Sequence, residues 1–301
     1  MVTTREIVGQ GIERLRSAGV DTPRLDAELL FALVAGVDRT GILAHPDALV
    51  GDGQIEAFKA VVGRRVDGEP VAYIRGMKEF HGVALTGDRR ALIPRPETEH
   101  LVDAAVAEAM RRLTVDPRTR PAARVRIVDV GTGSGAIAIA LAVALRARHV
   151  PPDEVTVVAT DTAAEALELA RENAVGHGLG DWLSFVGADL LPDREGCVWD
   201  LVLANLPYVR SGDMAGLPRP TAFEPPAALD GGPDGLAIIG RLLDRLPAGL
   251  APGGIALLEI GADQGQPMST LLAERLPGWD GRIETDLAGL PRLAVVERPS
   301  A

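Results

Sequence analysis

"VDVGTGSGAIAIALA" occupies residues 128–142. An apolar run stops at Gly131, and Gly133 and Gly135 follow at alternate positions, separated by Thr132 and Ser134. An apolar stretch with helical spacing comes next. The pattern predicts a buried strand, a tight loop and a helix. Glycine lets the backbone turn where other residues are strained and lets a ligand approach the chain closely. In an open α/β sheet such a loop lies at the carboxyl ends of the strands, where ligands bind near the switch in strand order. Gly131-x-Gly133-x-x-Ala136 also satisfies the dinucleotide fingerprint, so the loop alone does not separate a nicotinamide cofactor from S-adenosylmethionine.

Strand and helix patterns alternate outward from this loop. Strands are predicted at 125–130, 155–160, 183–186 and 201–204, and again in "GGIALLEI". Helices are predicted at 135–148, 163–174, in "DGLAIIGRLLDRLPAGL" and at 264–275. "GRIETDLAG" and "PRLAVVER" close the chain as a hairpin, which makes one strand antiparallel in a mostly parallel sheet. The first residues read differently. "TTREIVGQGIERLRSAGV", "DTPRLDAELLFALVAGV" and "GDGQIEAFKAVVGRRVDG" carry apolar residues at helical spacing, with Asp21 as a cap and Leu25, Leu29, Leu30 and Leu33 on one side. The expected organisation is a helical substrate-recognition domain over 1–72, a β-hairpin connector over 73–95 and a ligand-binding α/β domain over 96–301. A helix is expected from Glu97 to Leu113, followed by a polar loop over 114–124.

The chain has 301 residues, is 47% hydrophobic and carries a formal charge of −11. That acidity argues against affinity built on neutralising phosphates. No apolar run reaches membrane-spanning length and the first residues lack a signal-peptide pattern, so a cytoplasmic protein is expected. The single cysteine, Cys197, excludes an internal disulfide and reads as a free thiol. His45, His81, His100, His149 and His177 lack metal-ligand spacing, and no metal site is expected.

The other strand ends carry the chemistry. "VVATD" ends at Asp161, where a carboxylate accepts hydrogen bonds from ribose hydroxyls or caps the next helix. "FVGAD" ends at Asp189, placed to reach an adenine amino group or to serve as a turn residue. "DLVLANLPYVR", residues 200–210, ends its apolar run at Asn205. A planar substrate nitrogen has a delocalised lone pair, and methylating it requires fixing both N–H directions. The Asn205 side-chain oxygen accepts one N–H and the Leu206 carbonyl accepts the other. Pro207 stiffens the turn and Tyr208 offers a flat face. Hydride transfer has no use for this arrangement, which favours S-adenosylmethionine as the cofactor.

Taken together, these segments resemble the protein-(glutamine-N5) methyltransferases that modify the GGQ glutamine of peptide chain release factors. "GEPVAYIRGMKEFHG", "LIPRPETEHLVDAA", "VDVGTGSGAIAIALA", "ATDTAAEALELARENA" and "FEPPAALDGGPDGL" carry the likeness over nearly the whole length. The resemblance implies a class I S-adenosylmethionine-dependent methyltransferase fold, Rossmann-like, with a seven-stranded sheet and an N-terminal helical bundle. It implies that Gly131, Thr132, Gly133, Ser134, Gly135, Asp161, Asp189, Leu190 and Asn205 contact the cofactor. Asn205, Leu206, Pro207 and Tyr208 then hold the glutamine amide, with Asn205, Pro207 and Tyr208 as the catalytic set. Arg95, Glu97 and Glu99 border the site or cap a helix, and Glu224 opens a loop over the site or caps Asp230-Gly231-Gly232. Two positions depart from the family. Leu206 stands where its motif has a first proline, and Leu190 and Leu191 follow Asp189 where an aromatic residue is frequent. The expected partner is a release factor, with no direct nucleic-acid or membrane contact, and a monomer is expected. Alternatives are an amino-group methyltransferase on adenine or guanine, a divergent paralogue on another amide, and a catalytically silent cofactor-binding protein.

Overall fold

The structure, a computed structural model, describes residues 2–114, 124–192 and 198–300. Cys197 and nearly all of the polar loop over 114–124 lie outside the described residues. The chain separates into two compact units. One comprises Met1–Met77 with Pro218–Phe223, the other Lys78–Leu217 with Glu224–Ala301.

The first unit begins with β1 (Val2–Thr3), α1 (Thr4–Ser17), α2 (Pro23–Ala35), α3 (Arg39–Ala44), β2 (Leu49–Val50), α4 (Asp52–Val66) and α5 (Val71–Arg75). Ile7, Val8 and Leu15 of α1 pack with Leu30 and Phe31 of α2 and with Phe58 and Val62 of α4. The Phe31 and Phe58 rings meet edge to face at 5.4 Å. Gly11 of α1 is required there, because a Cβ would lie 2.6 Å from the Phe58 ring. The α2 face differs from the sequence expectation. Leu30 is buried, but Leu25 and Leu33 are 39% and 42% exposed, and the N-cap is Thr22 rather than Asp21. The unit also runs past residue 72. Tyr73 lies in helix α5 rather than in a hairpin, and Ile74 of that helix joins the core of this unit. Within the same unit, Arg219 Nη2 donates to the Asp67 carbonyl at 3.4 Å.

The connector predicted over 73–95 reduces to one short hairpin, β3 (Met77–Phe80) and β4 (Val83–Thr86). His81 and Gly82 between them have φ of 49° and 72°, the backbone of a two-residue primed turn. A 3₁₀ turn (Pro96–Thr98) then leads into α6 (Glu99–Leu113), so the predicted helix starts two residues late.

The α/β unit continues with β5 (Val125–Val130), α7 (Ala136–Ala147), β6 (Val155–Asp161), α8 (Ala164–Gly176), β7 (Leu183–Gly187) and β8 (Trp199–Ala204). It ends with α9 (Ala237–Gly249), β9 (Leu250–Glu259), α10 (Gly265–Arg275), β10 (Asp280–Thr285) and β11 (Pro291–Glu297). The seven strands are ordered β10-β11-β9-β8-β5-β6-β7. Only β11 runs against its two neighbours, as a closing hairpin requires. Alternate residues of each strand face opposite layers. Ile127, Leu201 and Leu257 pack with α6 and α7, whereas Val128, Val202 and Leu258 pack with α9 and α10. β8 is buried along its whole length, as expected of a central parallel strand covered on both faces. Among the described residues no helix is long and apolar enough to cross a membrane.

The order of strands reverses at β5, which pairs with β6 on one side and β8 on the other. Register aligns the strand ends. Val130 pairs with Thr160 and with Ala204, and Ala204 pairs with Leu258. Gly131, Asp161, Asn205 and Glu259 therefore stand one residue further along four adjacent strands. The turn out of β5 depends on Gly135, at φ 83°, where a Cβ would meet Ile139 Cδ1 at 2.8 Å and Ala170 Cβ at 3.1 Å. Gly135→Ala is expected to lower unfolding free energy by about 1–3 kcal/mol. Urea denaturation checks it, and an unchanged midpoint would refute the steric account.

Candidate active site

A cleft of about 350 Å³ opens at the reversal point, within the α/β unit. That is the size of a small-molecule site, which typically spans roughly 300–1,000 Å³. Its walls include Gly131–Ser134, Asp161, Asp189, Leu190 and Asn205–Pro207. The cleft thus brings together most of the residues singled out in the sequence. Gly135 and Tyr208 lie beside it rather than in its wall.

The glycine loop is held from below. Gly131, Gly133 and Gly135 all have positive φ. The Thr132 hydroxyl donates to Asp129 Oδ2 at 2.6 Å and its amide donates to the Thr160 carbonyl at 2.8 Å. The Ser134 carbonyl accepts from Asn173 Nδ2 at 3.0 Å. The hydroxyl of Thr132 is therefore spent inside the protein. Asp129, which the sequence reading passed over, is fully buried and its Oδ1 has no partner among the described residues. Desolvation pushes its carboxyl up to about 7, and the Thr132 bond opposes that rise. Asp161 accepts the Gly133 amide on Oδ2 at 2.9 Å and the Ala163 amide on Oδ1 at 2.9 Å. It ties the loop to the start of α8 while leaving lone pairs on both oxygens.

At the end of β7 the geometry differs from expectation. The Asp189 carboxylate pairs with Arg241 of α9, and its carbonyl accepts from Arg245 at 2.8 Å. The partner lies far along the chain, so spacing gave no sign of it. Leu190 adopts φ 68° and is buried against the cleft.

At the end of β8, Asn205 Nδ2 donates to Thr98 Oγ1 at 3.0 Å, so Oδ1 is the amide atom left to accept. Leu206 is 5% exposed and packs on the glycine loop, since a Cβ on Gly131 would lie 2.9 Å from Leu206 Cδ2. Burial fixes this residue where proline would have fixed it by its ring. The Tyr208 hydroxyl donates to Glu259 Oε1 at 3.3 Å. Burial, with Glu259 alongside, pushes that phenol up to about 12. Behind the loop, Gln264 Nε2 donates to the Tyr208 carbonyl at 2.9 Å. A Cβ on Gly231 or Gly235 would strike the Pro207 or Tyr208 carbonyl at 2.6 Å and 2.4 Å. "LDGGPDG" is thus the backing of the loop, and its glycines are the signal that the sequence offered for it.

Glu224 neither caps Asp230-Gly231-Gly232 nor is exposed. Asp230 itself takes the Gly232 amide at 2.9 Å. Glu224 is 3% exposed and accepts the Ile93 amide at 3.0 Å and Arg95 Nη2 at 2.5 Å, holding the segment that carries Pro94 and Thr98. Glu99 Oε1 accepts the His81 amide at 2.9 Å, which makes it a support of the hairpin. Neither Arg95, Glu97 nor Glu99 lines the cleft. Among the described residues no group of three or more His, Cys, Asp or Glu is placed to hold a metal ion.

The chain is similar to known proteins. The family model described as "PrmC N-terminal domain" matches residues 6–76, and that described as "Methyltransferase small domain" matches residues 102–216. A release factor glutamine methyltransferase of Deinococcus radiodurans is 38% identical over 98% of this chain and 98% of its own. One from Nitratidesulfovibrio vulgaris is 37% identical over 98% of this chain and 95% of its own. Among solved structures, the hMettl16 catalytic domain in complex with MAT2A 3′UTR hairpin 6 matches with a TM-score of 0.53 at 15% identity. It covers 85% of each chain, a likeness of fold.

The buried Asp129 leaves a trace in the pH dependence of stability. Its carboxyl is raised in the folded state, so the native protein keeps a proton that the unfolded chain releases near pH 4. The stability linked to it is complete below that pH and is lost as pH rises through about 7. Asp129→Asn is expected to flatten the decline between pH 5 and 8 relative to the unaltered protein. Urea midpoints at the two pH values check this, and parallel declines would overturn it.

Proposed function

The chain belongs to the release factor glutamine methyltransferase family, and from that premise we propose what it methylates and how. The reaction is transfer of a methyl group from S-adenosylmethionine to the side-chain nitrogen of the glutamine in the GGQ motif of a peptide chain release factor. The observation that carries the reading is the Asn205 amide. Its NH2 is engaged by Thr98 at 3.0 Å, and its oxygen is left to accept at the edge of a cofactor-sized cleft.

The residues present fit the cofactor. Gly131 and Gly133, both at positive φ, keep the loop backbone open to a ligand, and the cleft measures about 350 Å³. When bound there, S-adenosylmethionine supplies an electrophilic methyl group. Gly131–Gly135 hold it through backbone and Asp161 accepts its ribose hydroxyls. Leu190 packs on the base, and the Asp189 oxygen not taken by Arg241 accepts the adenine amino group. Asn205 Oδ1 accepts one N–H of the glutamine amide and the Leu206 carbonyl accepts the other, which turns the nitrogen lone pair toward the methyl. Pro207 limits the motion of that turn, and Tyr208 flanks the amide. No general base is required, because a methylated amide nitrogen is cationic and sheds its proton readily. The N-terminal helical unit recognises the release factor in this reading, and the protein acts as a monomer in the cytoplasm.

Labelled S-adenosylmethionine, incubated with the protein and an unmethylated release factor, is expected to label the factor. It should not label a copy whose GGQ glutamine is replaced. Label on both copies, or on neither, would refute the substrate. Asn205→Ala is expected to lower turnover roughly 100–1,000-fold while cofactor affinity changes only a few-fold, as for loss of one positioned acceptor. Turnover near that of the unaltered protein would remove Asn205 from the reaction. Asp161→Ala is expected to weaken cofactor binding about tenfold or more, which calorimetry measures directly. Unchanged affinity would take Asp161 out of the ribose site.

A further inference from the structure

Three residues other than glycine have positive φ among the described residues: His81, His149 and Leu190. Both histidines stand at turns, and neither is buried. Leu190, at φ 68°, is buried and lines the cleft just past β7. A leucine in that backbone is disfavoured, because its Cβ crowds a carbonyl oxygen, and it persists only where the surroundings hold it.

The holding groups come from α9 and β6. Arg245 Nη1 donates to the Asp189 carbonyl at 2.8 Å and to the Leu191 carbonyl at 3.2 Å. One nitrogen thus grips the backbone on both sides of Leu190. The Leu190 carbonyl accepts the hydroxyl of Thr160, a fully buried residue, at 3.0 Å. Three consecutive carbonyls are therefore taken by side chains from other elements. Leu191 is buried against the last turn of α9, where a Cβ on Gly249 would lie 2.5 Å from Leu191 Cδ1.

Arg241 stands one turn before Arg245 on α9, so both lie on one side of the helix. It lines the cleft and pairs with Asp189 Oδ2. The two side chains are 54% and 51% exposed, and a pair so exposed adds little to stability. What it does fix is direction, because a carboxylate with Oδ2 engaged presents Oδ1 on the other side. One helix thereby sets both the backbone of Leu190 and the orientation of Asp189.

We propose that Arg245 and Arg241 are positioning residues for the base of the cofactor. Arg245 keeps Leu190 in the left-handed backbone that places it in the cleft wall, and Arg241 turns the free Asp189 oxygen toward the adenine amino group. The inference rests on the reading of the cleft as the S-adenosylmethionine site, with Leu190 and Asp189 at the adenine.

The probes are S-adenosylhomocysteine and S-inosylhomocysteine, whose base carries a carbonyl oxygen in place of the amino group. Calorimetry gives a Kd for each, independent of turnover. The unaltered protein is expected to prefer the adenine form by about tenfold or more, since an acceptor placed for an N–H rejects a base that lacks it. Arg245→Met keeps the stem and leaves two carbonyls without their donor. Its Kd for S-adenosylhomocysteine is expected to rise about tenfold and its preference for adenine to shrink to roughly threefold or less. Arg245→Lys is expected to recover most of both, because the bridge uses a single nitrogen and an ammonium carries enough hydrogens to repeat it. Arg241→Met is expected to lose the preference while affinity falls only a few-fold, since the backbone clamp remains.

A role confined to stability would lower the melting temperature and weaken both ligands by one factor, leaving the preference intact; that result overturns the proposal. So does an Arg245→Met protein whose affinity and preference match those of the unaltered protein, and in that case the cofactor site itself stands. If the unaltered protein binds S-adenosylhomocysteine but does not prefer adenine, the assigned direction of Asp189 is refuted. If it binds neither ligand, the cofactor reading and the positioning roles fall together. Should Arg245→Met not fold, Arg241→Met decides the question at an exposed pair, and an unchanged preference there refutes the proposal.

Discussion

The pairing of β5 with β8, in which Val130 faces Ala204, is the constraint on which the site depends. It brings a glycine loop and an asparagine that are far apart in the chain to adjacent positions on the carboxyl edge of one sheet. Backbone hydrogen bonds between neighbouring parallel strands fix that spacing. The strands on either side continue the row, with Asp161 ending β6 and Glu259 ending β9. One sheet edge thus carries a loop, a carboxylate, an amide and a buried acid in order. Rigid placement of this kind is what an uncharged, weakly nucleophilic amide needs, since orientation rather than acid–base chemistry limits its reaction.

Support for the edge comes from elements with no obvious chemistry. Gln264 and the glycines at 231 and 235 brace the back of the Asn205–Tyr208 loop. Glu224 holds the strand-like segment at Ile93–Arg95, which delivers Thr98 to Asn205. Leu206 reaches the glycine loop and is buried there. A proline at that place would restrict the backbone covalently. The leucine restricts it by packing, so the loop is anchored by the surface of its neighbour. Two buried carboxyl groups, Asp129 and Glu259, sit beneath the glycine loop and the Asn205–Tyr208 loop respectively. Each has one oxygen with no partner among the described residues, and both are raised by desolvation. Acids with strongly shifted titration concentrate at functional sites, where burial and neighbours are arranged to shift them.

Much of this was legible in the chain. Alternation of strand and helix periods, the glycine triplet after an apolar run and the polar residue at each strand end depend on local rules, and a local rule can be read locally. The helix–strand boundaries fell within a few residues for the same reason. The connector was misjudged because Tyr73 and Ile74 have strand-like side chains, yet they are helical, and Ile74 is buried in the N-terminal core. Leu25 and Leu33 were placed on one side of α2 with Leu30, but the stripe that α2 buries takes in Leu30 and leaves those two exposed. Asp189 was placed to reach an adenine amino group or to serve as a turn residue, and its pairing with Arg241 joins two positions that nothing in sequence connects.

What the sequence alone determined is the architecture: an α/β sheet, a glycine loop and a polar turn at its strand ends, and an N-terminal helical segment. Each follows from residue type at short spacing, where propensity, periodicity and glycine sterics act. Only the tertiary structure decided how the turn is oriented. The Asn205 side chain carries a donor and an acceptor of nearly equal shape, and its NH2 is engaged by Thr98, brought from another element. Hydrogen-bond direction is a property of the whole chain of partners, so no single segment contains it.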